Sequence, residues 1–550
     1  MTAGGTWQAT AAAPAVAQRQ WFPTEPFAGL ARLGWTAATV VGIAAVGVFA
    51  KLPEAVLPIG TDTGMFATYA RMMLQGARPY VDFYDIHPPL GYAYWMLVEV
   101  LGGSDWSRTC LGAWGSRLAP QPCVNLVAQA LDLALTFAAA GLTYAVARRL
   151  GLQRLVGVLA ALFVVWFANE SMISMEGGTP TKLTLVPSTL AIYACLRALP
   201  DGSRRWAVLS GAAAMLAVMA KQPGLMTLVA LIAYMLPGFV RGGRTERRVL
   251  VALVGGAVVV LVPTLVDMAA IGSLRGFWDQ PWAYNLERFV NGYWQTPAGL
   301  SSPATRIDRV ATQSAGLLFI GALLGGMALV LGPAEGRQRL LLVWGICNVV
   351  AIAGFRDFAQ VVPAFALLAA LGIGRVWDAA GRDGLGLGRP LAGHIALVTV
   401  LGTLLLLTSS FQVVELRRAA FERGQTGKPA DPELIASYLR ERAPLGPIFT
   451  WGNEAQIYAL SGRQPSSRFL ITEFPRLGSP WSAASRQQLL DDLRARPPAA
   501  IVIDPHADEP EIRVSGFPEL SQLIQRCYAR VPQMPPAWEV YAQTRPDCGL

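Results

Sequence analysis

The 550-residue chain is 53% hydrophobic and only 15% charged, with a mean hydropathy of +0.40, more apolar surface than a soluble core needs. Its formal charge of +9 sits mostly in short Arg-bearing connectors between apolar runs, not in one basic stripe interleaved with aromatics. That is the pattern of membrane topology signals, and it argues against nucleic-acid binding.

Residues 1–33 are Ala-rich and polar, with Arg19 and Arg32, and no small-residue cleavage site follows the first apolar run. The run reads as an uncleaved span behind a cytoplasmic N-terminal segment. A spanning helix needs about 20 mostly apolar residues. About eleven candidates meet this, at about 34–56, 124–147, 153–172, 181–199, 206–220, 223–240, 248–271, 313–332, 338–355, 358–377 and 391–411. With the N-terminus inside, the connectors on that side hold Arg148, Arg149 and Arg154; Arg204 and Arg205; Arg241, Arg244, Arg247 and Arg248; Arg337 and Arg339; and Arg375, Arg382 and Arg389. Every inside connector is then Arg-rich, as the positive-inside rule requires.

The opposite face receives the loop at about 57–123, a turn at 170–180, the loop at about 272–312, the Arg356-Asp357 turn and everything after about 412. Pro88–Gly103 is apolar but short, opens with Pro-Pro and carries Glu99, so a helix at the interface or packed on the bundle is expected there. From about 430 the composition becomes that of a soluble domain. Helical patterns at Pro432–Arg442 and Ala484–Arg496 alternate with strand-like GPIFTWG and AAIVIDP. The expected architecture is a membrane all-α bundle (34–411) followed by an extracytoplasmic α/β domain (412–550).

Cys195 and Cys347 fall within spans and read as small core residues. Cys110 with Cys123, and Cys527 with Cys548, share exported segments and are candidate disulfides in an oxidising compartment. No CxxC spacing supports zinc.

The richest chemistry lies in Gly60–Leu90, GTDTGMFATYARMMLQGARPYVDFYDIHPPL, directly after the first span. Asp62 stands where a carboxylate can be half desolvated yet reach water and take a proton from a hydroxyl. It also precedes the helical run GMFATYARMML, where an Asp serves as an N-cap. Downstream, Asp82, Asp85 and His87 fall within six residues, and Pro88-Pro89 fixes an extended backbone at His87. That imidazole either donates to a phosphate oxygen or satisfies loop carbonyls. Two loop carboxylates without further ligands do not make a metal site.

These residues, in this order, resemble the first exported loop of the GT-C glycosyltransferases. The segment is particularly similar to the protein O-mannosyltransferase and lipid A aminoarabinose transferase group, the glycosyltransferase family 39-like members. The similarity continues in NESMISMEGGTPTKLTLVPS, in the Lys-Gln-Pro-Gly turn at Lys221–Gly224, and in FRDFAQVVPAFALLAALG, covering most of residues 35–410. The resemblance implies an integral-membrane enzyme that uses a polyprenyl-phosphate sugar, with its site on the non-cytoplasmic face of a bacterial-type plasma membrane and no catalytic metal or cofactor. It aligns Asp62 with the family's first-loop acid, the general base, and His87 with the basic residue ahead of Pro-Pro, near the lipid phosphate. Thr63 stands where the O-mannosyltransferases usually carry a second acid. That weakens assignment to protein mannosylation and leaves glycan, lipid or protein as acceptor.

Displacing a polyprenyl phosphate builds positive charge on the sugar and negative charge on the leaving group, so a base is needed on one side and cationic donors on the other. Arg356 is a second phosphate candidate, since a guanidinium binds two oxygens; it is also placed to snorkel beside Asp357. Asp85, Tyr69, Glu176 and Lys182 complete the candidate substrate-binding set, with Asn169 and Lys221 at similar span ends. Trp278, Trp282, Tyr284, Tyr293 and Trp294 form either a sugar platform or, more commonly, an interfacial belt. Trp451, Asn453 and Glu454 are expected as the exposed residues of the tail. A polyprenyl-linked sugar transporter or flippase would share the composition, but such proteins show paired repeats and mid-membrane polar residues, whereas here ionisable groups gather at one face. A non-catalytic member of the family would lack reason to keep Asp62 and the HPPL element.

Overall fold

The computed structural model describes residues 28–545 except 57, 112–120, 171–172, 174–178, 291–314, 333–335, 356–358, 383–430, 480, 505–511 and 533. The chain divides into Met1–Ala45, which holds the start of the first helix, and Val46–Leu550, which holds the rest. In chain order the longer helices are α1 Ala28–Val56, α2 Thr61–Leu74, α3 Leu90–Gly102, α4 Cys123–Arg149, α5 Arg154–Phe167, α6 Leu185–Ala198, α7 Arg204–Ala220, α8 Leu225–Val240, α9 Arg244–Ala270, α10 Gly316–Leu331, α11 Gln338–Phe355 and α12 Val362–Arg382. Helix therefore occupies each expected span through 358–377, while 391–411 lies outside the described residues. Among the described residues, three helices are long and apolar enough to cross a membrane by length and composition: Cys123–Arg149, Gln222–Val240 and Arg244–Ala270. The short apolar α3 packs on α2 and α4. One side of it leaves Val100 and Leu101 exposed.

Small residues let these helices meet closely. A Cβ on Gly211 of α7 would lie 1.7 Å from the Leu253 carbonyl oxygen of α9, and one on Gly256 would lie 2.0 Å from the Val208 carbonyl oxygen. Each glycine admits the backbone of the other helix, the device by which helices associate where there is no hydrophobic drive between them.

Between α3 and α4, β1 Thr109–Leu111 pairs antiparallel with β2 Gln121–Pro122. The Cys110–Cys123 disulfide ties β1 to the first residue of α4, as anticipated. Cys195 is free and buried and Cys347 is free, while Cys548 lies outside the described residues.

The C-terminal segment contains α13 Asp431–Glu441, β3 Ile448–Trp451, α14 Gln456–Ser461, α15 Ser482–Ala495, β4 Ala500–Ile503, α16 Pro518–Cys527, β5 Tyr528–Arg530 and β6 Glu539–Gln543. The strands form one sheet in the order β3-β4-β6-β5, with β3 parallel to β4 and the other pairings antiparallel. The parallel pair needs a crossover, which α14 and α15 supply, and β3 and β4 are buried along their whole length. Trp451 is thus corrected from exposed to fully buried: it ends β3, and its indole N–H donates to the Ile512 carbonyl. Asn453 alone of the three expected residues is exposed.

This segment is docked on α2. Gly64 permits it, since a Cβ there would sit 2.1 Å from Gln456 Cα. The Arg71 guanidinium donates to the Tyr458 carbonyl at 3.0 Å, and Gln464 donates to Gln75 at 2.6 Å. Gly64→Ala is expected to cost about 1–3 kcal/mol by overpacking backbone that cannot yield. Thermal unfolding of the purified variant measures this, and a wild-type melting temperature would mean that α14 is free to shift.

Candidate active site

The helix α2 begins with Gly60 as its N-cap, in extended conformation and without a side-chain cap, so Asp62 is not the capping residue. It lies in the first turn, where the helix dipole favours an anion. Asp62 is half-buried, and among the described residues its carboxylate has no hydrogen-bond or ion-pair partner. Phe66 follows one turn later on the same helix face. The His87 ring stands edge-on to Phe66, with centroids 5.0 Å apart. Phe66 thus connects the imidazole to the helix that carries the base candidate.

Several bonds fix His87. Its Nδ1 donates to Asp85 Oδ1 at 2.8 Å; that oxygen also accepts the Ile86 backbone N–H at 2.7 Å, and Oδ2 accepts the Tyr92 hydroxyl at 2.7 Å. With Nδ1 committed to a carboxylate, Nε2 is the nitrogen left to meet a substrate. Asp85 is 2% exposed, so it acts on substrate through His87 rather than by touching it.

The loop itself is held from a distance. Tyr80 has φ of 64°, a left-handed conformation that a bulky residue keeps only when its surroundings impose it. Its hydroxyl donates to the His87 carbonyl at 2.7 Å, and its own carbonyl accepts from Gln280 at 2.8 Å. Gln280 also accepts the Asp85 N–H at 3.0 Å. Gln222 donates to the Ile86 and Pro281 carbonyls at 2.6 and 2.9 Å, and Asn285 to the same two at 3.0 and 2.9 Å. Burial, then the Asp85 charge, pushes the Tyr69, Tyr80 and Tyr92 phenols well above their ordinary range. They remain neutral donors around the carboxylate.

Tyr69 is fully buried, stacked 4.3 Å from Phe83 and donating to the Tyr84 carbonyl at 2.9 Å. Asp82 is not part of the cluster. It pairs with Arg78, whose hydrogen bonds hold its carboxyl below the usual range. The C-terminal segment closes on the loop: Tyr84 N–H donates to the Arg468 carbonyl at 2.9 Å, and the Arg468 guanidinium lies 5.4 Å from the Tyr84 ring.

Lys182, expected at a substrate surface, is 1% exposed. It donates to Asp132 at 2.6 Å and to Asn169 at 3.1 Å, and Asp132 and Glu54 both also accept from Lys51. Lys221 donates to Thr181 at 2.8 Å. Tyr284 is neither platform nor belt: it is buried, and its hydroxyl lies 3.0 Å from the Glu473 carbonyl and 2.9 Å from Ser479. Trp278 is exposed and Trp282 half-buried. Arg356, Glu176, Tyr293 and Trp294 lie outside the described residues.

No protein-family model matches the chain, nor does any curated protein. Solved structures do. ArnT from Cupriavidus metallidurans, bound to undecaprenyl phosphate, is 16% identical with a TM-score of 0.56, over 92% of this chain and 98% of that one. The archaeal oligosaccharyltransferase AglB from Archaeoglobus fulgidus, in complex with an inhibitory peptide and a dolichol-phosphate, is 11% identical with a TM-score of 0.54, over 95% and 75%. The Archaeoglobus fulgidus enzyme tethered to an acceptor peptide gives 14% and 0.53, over 93% and 74%. At these identities the likeness is one of architecture, and along more than nine-tenths of its length the chain carries the fold of the GT-C superfamily glycosyltransferases.

Proposed function

We propose that the chain is an integral-membrane glycosyltransferase that moves a sugar from a polyprenyl-phosphate donor to a hydroxyl of a glycan, lipid or protein. The observation that carries this reading is a half-buried Asp62, unpartnered among the described residues, on the helix whose Phe66 packs edge-on against a fixed His87, within a GT-C fold. The undecaprenyl phosphate of ArnT and the dolichol-phosphate of the oligosaccharyltransferase support the donor class. Arg-rich connectors on one side support an extracytoplasmic site, and so does the Cys110–Cys123 bond, which suits an oxidising compartment. In this reading residues 34–411 are the catalytic module and 412–550 an extracytoplasmic domain in a bacterial-type plasma membrane.

In the reaction the acceptor O–H gives its proton to Asp62 as its oxygen forms a bond to the anomeric carbon. The anomeric carbon–phosphate oxygen bond breaks, and its electron pair leaves with the polyprenyl phosphate. A protonated His87 donates through Nε2 to that phosphate while Asp85 holds Nδ1, and Arg356 is the second phosphate ligand. One direct displacement inverts the anomeric centre. The test is release of polyprenyl phosphate from a short-chain donor by the purified chain. No binding of the donor sinks the reading.

If Asp85 works through His87, Asp85→Asn and His87→Gln each lower kcat/KM by roughly 10–100-fold, the worth of a charge-assisted hydrogen bond of about 1.5–3 kcal/mol. Because the two act as a unit, the double variant is expected to be little worse than either. Multiplying effects would show that they act separately.

A further inference from the structure

A cavity of about 400 Å³ lies at the far end of α2, bordered by Arg71, by Asp105, Trp106 and Ser107 after α3, and by Arg440 and Ser461 of the C-terminal segment. Arg71 is nine residues along the helix from Asp62, roughly 14 Å at 1.5 Å per residue, so this is not the reaction site.

Its chemistry is cationic and hydroxyl-rich. Arg71 is only 8% exposed; one terminal nitrogen donates to the Tyr458 carbonyl, but its Nε has no partner among the described residues. A buried guanidinium with an unused N–H is costly unless something accepts it. The Arg440 guanidinium donates to the Leu460 carbonyl at 3.1 Å and stands 3.7 Å from Glu441. The carboxylate on the wall, Asp105, is turned to Ser107, accepting its backbone N–H at 2.9 Å and its hydroxyl at 2.5 Å. Beside Arg71, Glu99 accepts the Trp106 indole N–H at 2.8 Å, and burial pushes its carboxyl up, which weakens it as a counter-ion.

We propose that this cavity binds a phosphate-bearing ligand, with the Arg71 and Arg440 guanidinium groups on the phosphate oxygens and the Ser461 hydroxyl, which accepts the Arg463 N–H and keeps its own proton to donate, beside them. The volume is within the range of small-molecule sites and exceeds a bare phosphate, so the ligand carries a sugar- or glycerol-sized body. Two sources share this chemistry. One is a soluble phosphate ester. The other is a phospholipid headgroup, to which the exposed Leu74 on the cavity wall offers an apolar approach.

The test uses the full chain in neutral detergent. Phosphorus NMR line broadening of inorganic phosphate reads the soluble source, and retention of phosphatidylglycerol from mixed vesicles with phosphatidylcholine reads the lipid source. Saturable phosphate binding, weakened at least tenfold in both Arg440→Gln and Ser107→Trp, supports the site and the soluble ester. Retention of phosphatidylglycerol that both variants lose, without phosphate binding, supports the site and the headgroup. Neither ligand binding, or binding equal in wild type and variants, overturns the proposal. Should Arg440→Gln fail to elute as a folded protein, Ser107→Trp decides alone, since it fills the cavity from an exposed position. Release of polyprenyl phosphate is expected to persist in Ser107→Trp, which keeps this question apart from the assignment of Asp62.

Discussion

Asp62→Asn is expected to lower kcat for release of polyprenyl phosphate by roughly 10²–10⁴-fold, the usual contribution of a general base. The amide has the size of the carboxylate and cannot take a proton. Nothing else should change much. Among the described residues no group donates to Asp62, so the substitution leaves none of them orphaned. The loss of an acid from the first turn of α2 weakens the dipole interaction by only about 0.3–1 kcal/mol. The catalytic loss corresponds to about 3–5 kcal/mol in the barrier, well clear of that structural cost. Single-turnover rates and donor affinity should therefore separate, with the rate collapsing and the affinity holding. Equal turnover in wild type and variant would mean that Asp62 serves only the helix terminus and that the base lies elsewhere.

What the sequence made legible is what depends on neighbours along the chain. Apolar run length located the helices, because burial of a continuous segment leaves its mark within that segment. The Asp85–His87 contact was within reach too, since the two stand two residues apart and Pro88 restricts the backbone at His87. The groups that fix the loop were not. Gln222, Gln280 and Asn285 bond to residues 136, 195 and 199 positions away, and an amide carries no local pattern that announces such a bond. The Lys-Gln-Pro-Gly turn was the one signal that could have singled out Gln222. Trp451 was misjudged because polar neighbours suggested a turn, whereas side chains pack on both faces of β3, Ile448 in one apolar cluster and Phe449 and Trp451 in another. The antiparallel pair of β5 and β6 was missed, because neither segment carries a strand pattern as plain as GPIFTWG or AAIVIDP. Lys182 was misjudged for a related reason: hydropathy sees the end of a span, not the Asp132 that waits across the bundle, 50 residues earlier.

That pairing leads to the second large effect, an expected loss of about 3–5 kcal/mol of stability in Lys182→Met. Lys51, Lys182, Glu54 and Asp132 are each buried to 6% exposure or less, and their formal charges cancel. Removing one cation leaves a net negative charge where water does not reach, and Glu54 Oε1 already lacks a partner among the described residues. Removing an anion with it should not do so. In Lys182→Met with Asp132→Leu, the Lys51–Glu54 pair remains and the cluster is neutral again. The double variant is therefore expected to melt above Lys182→Met, with a coupling of about 0.5–3 kcal/mol between neighbouring sites. Thermal unfolding of the four proteins in one detergent measures the cycle. Additive losses would mean that the cluster is hydrated, and that the charges at Lys182 and Asp132 do not stabilise one another.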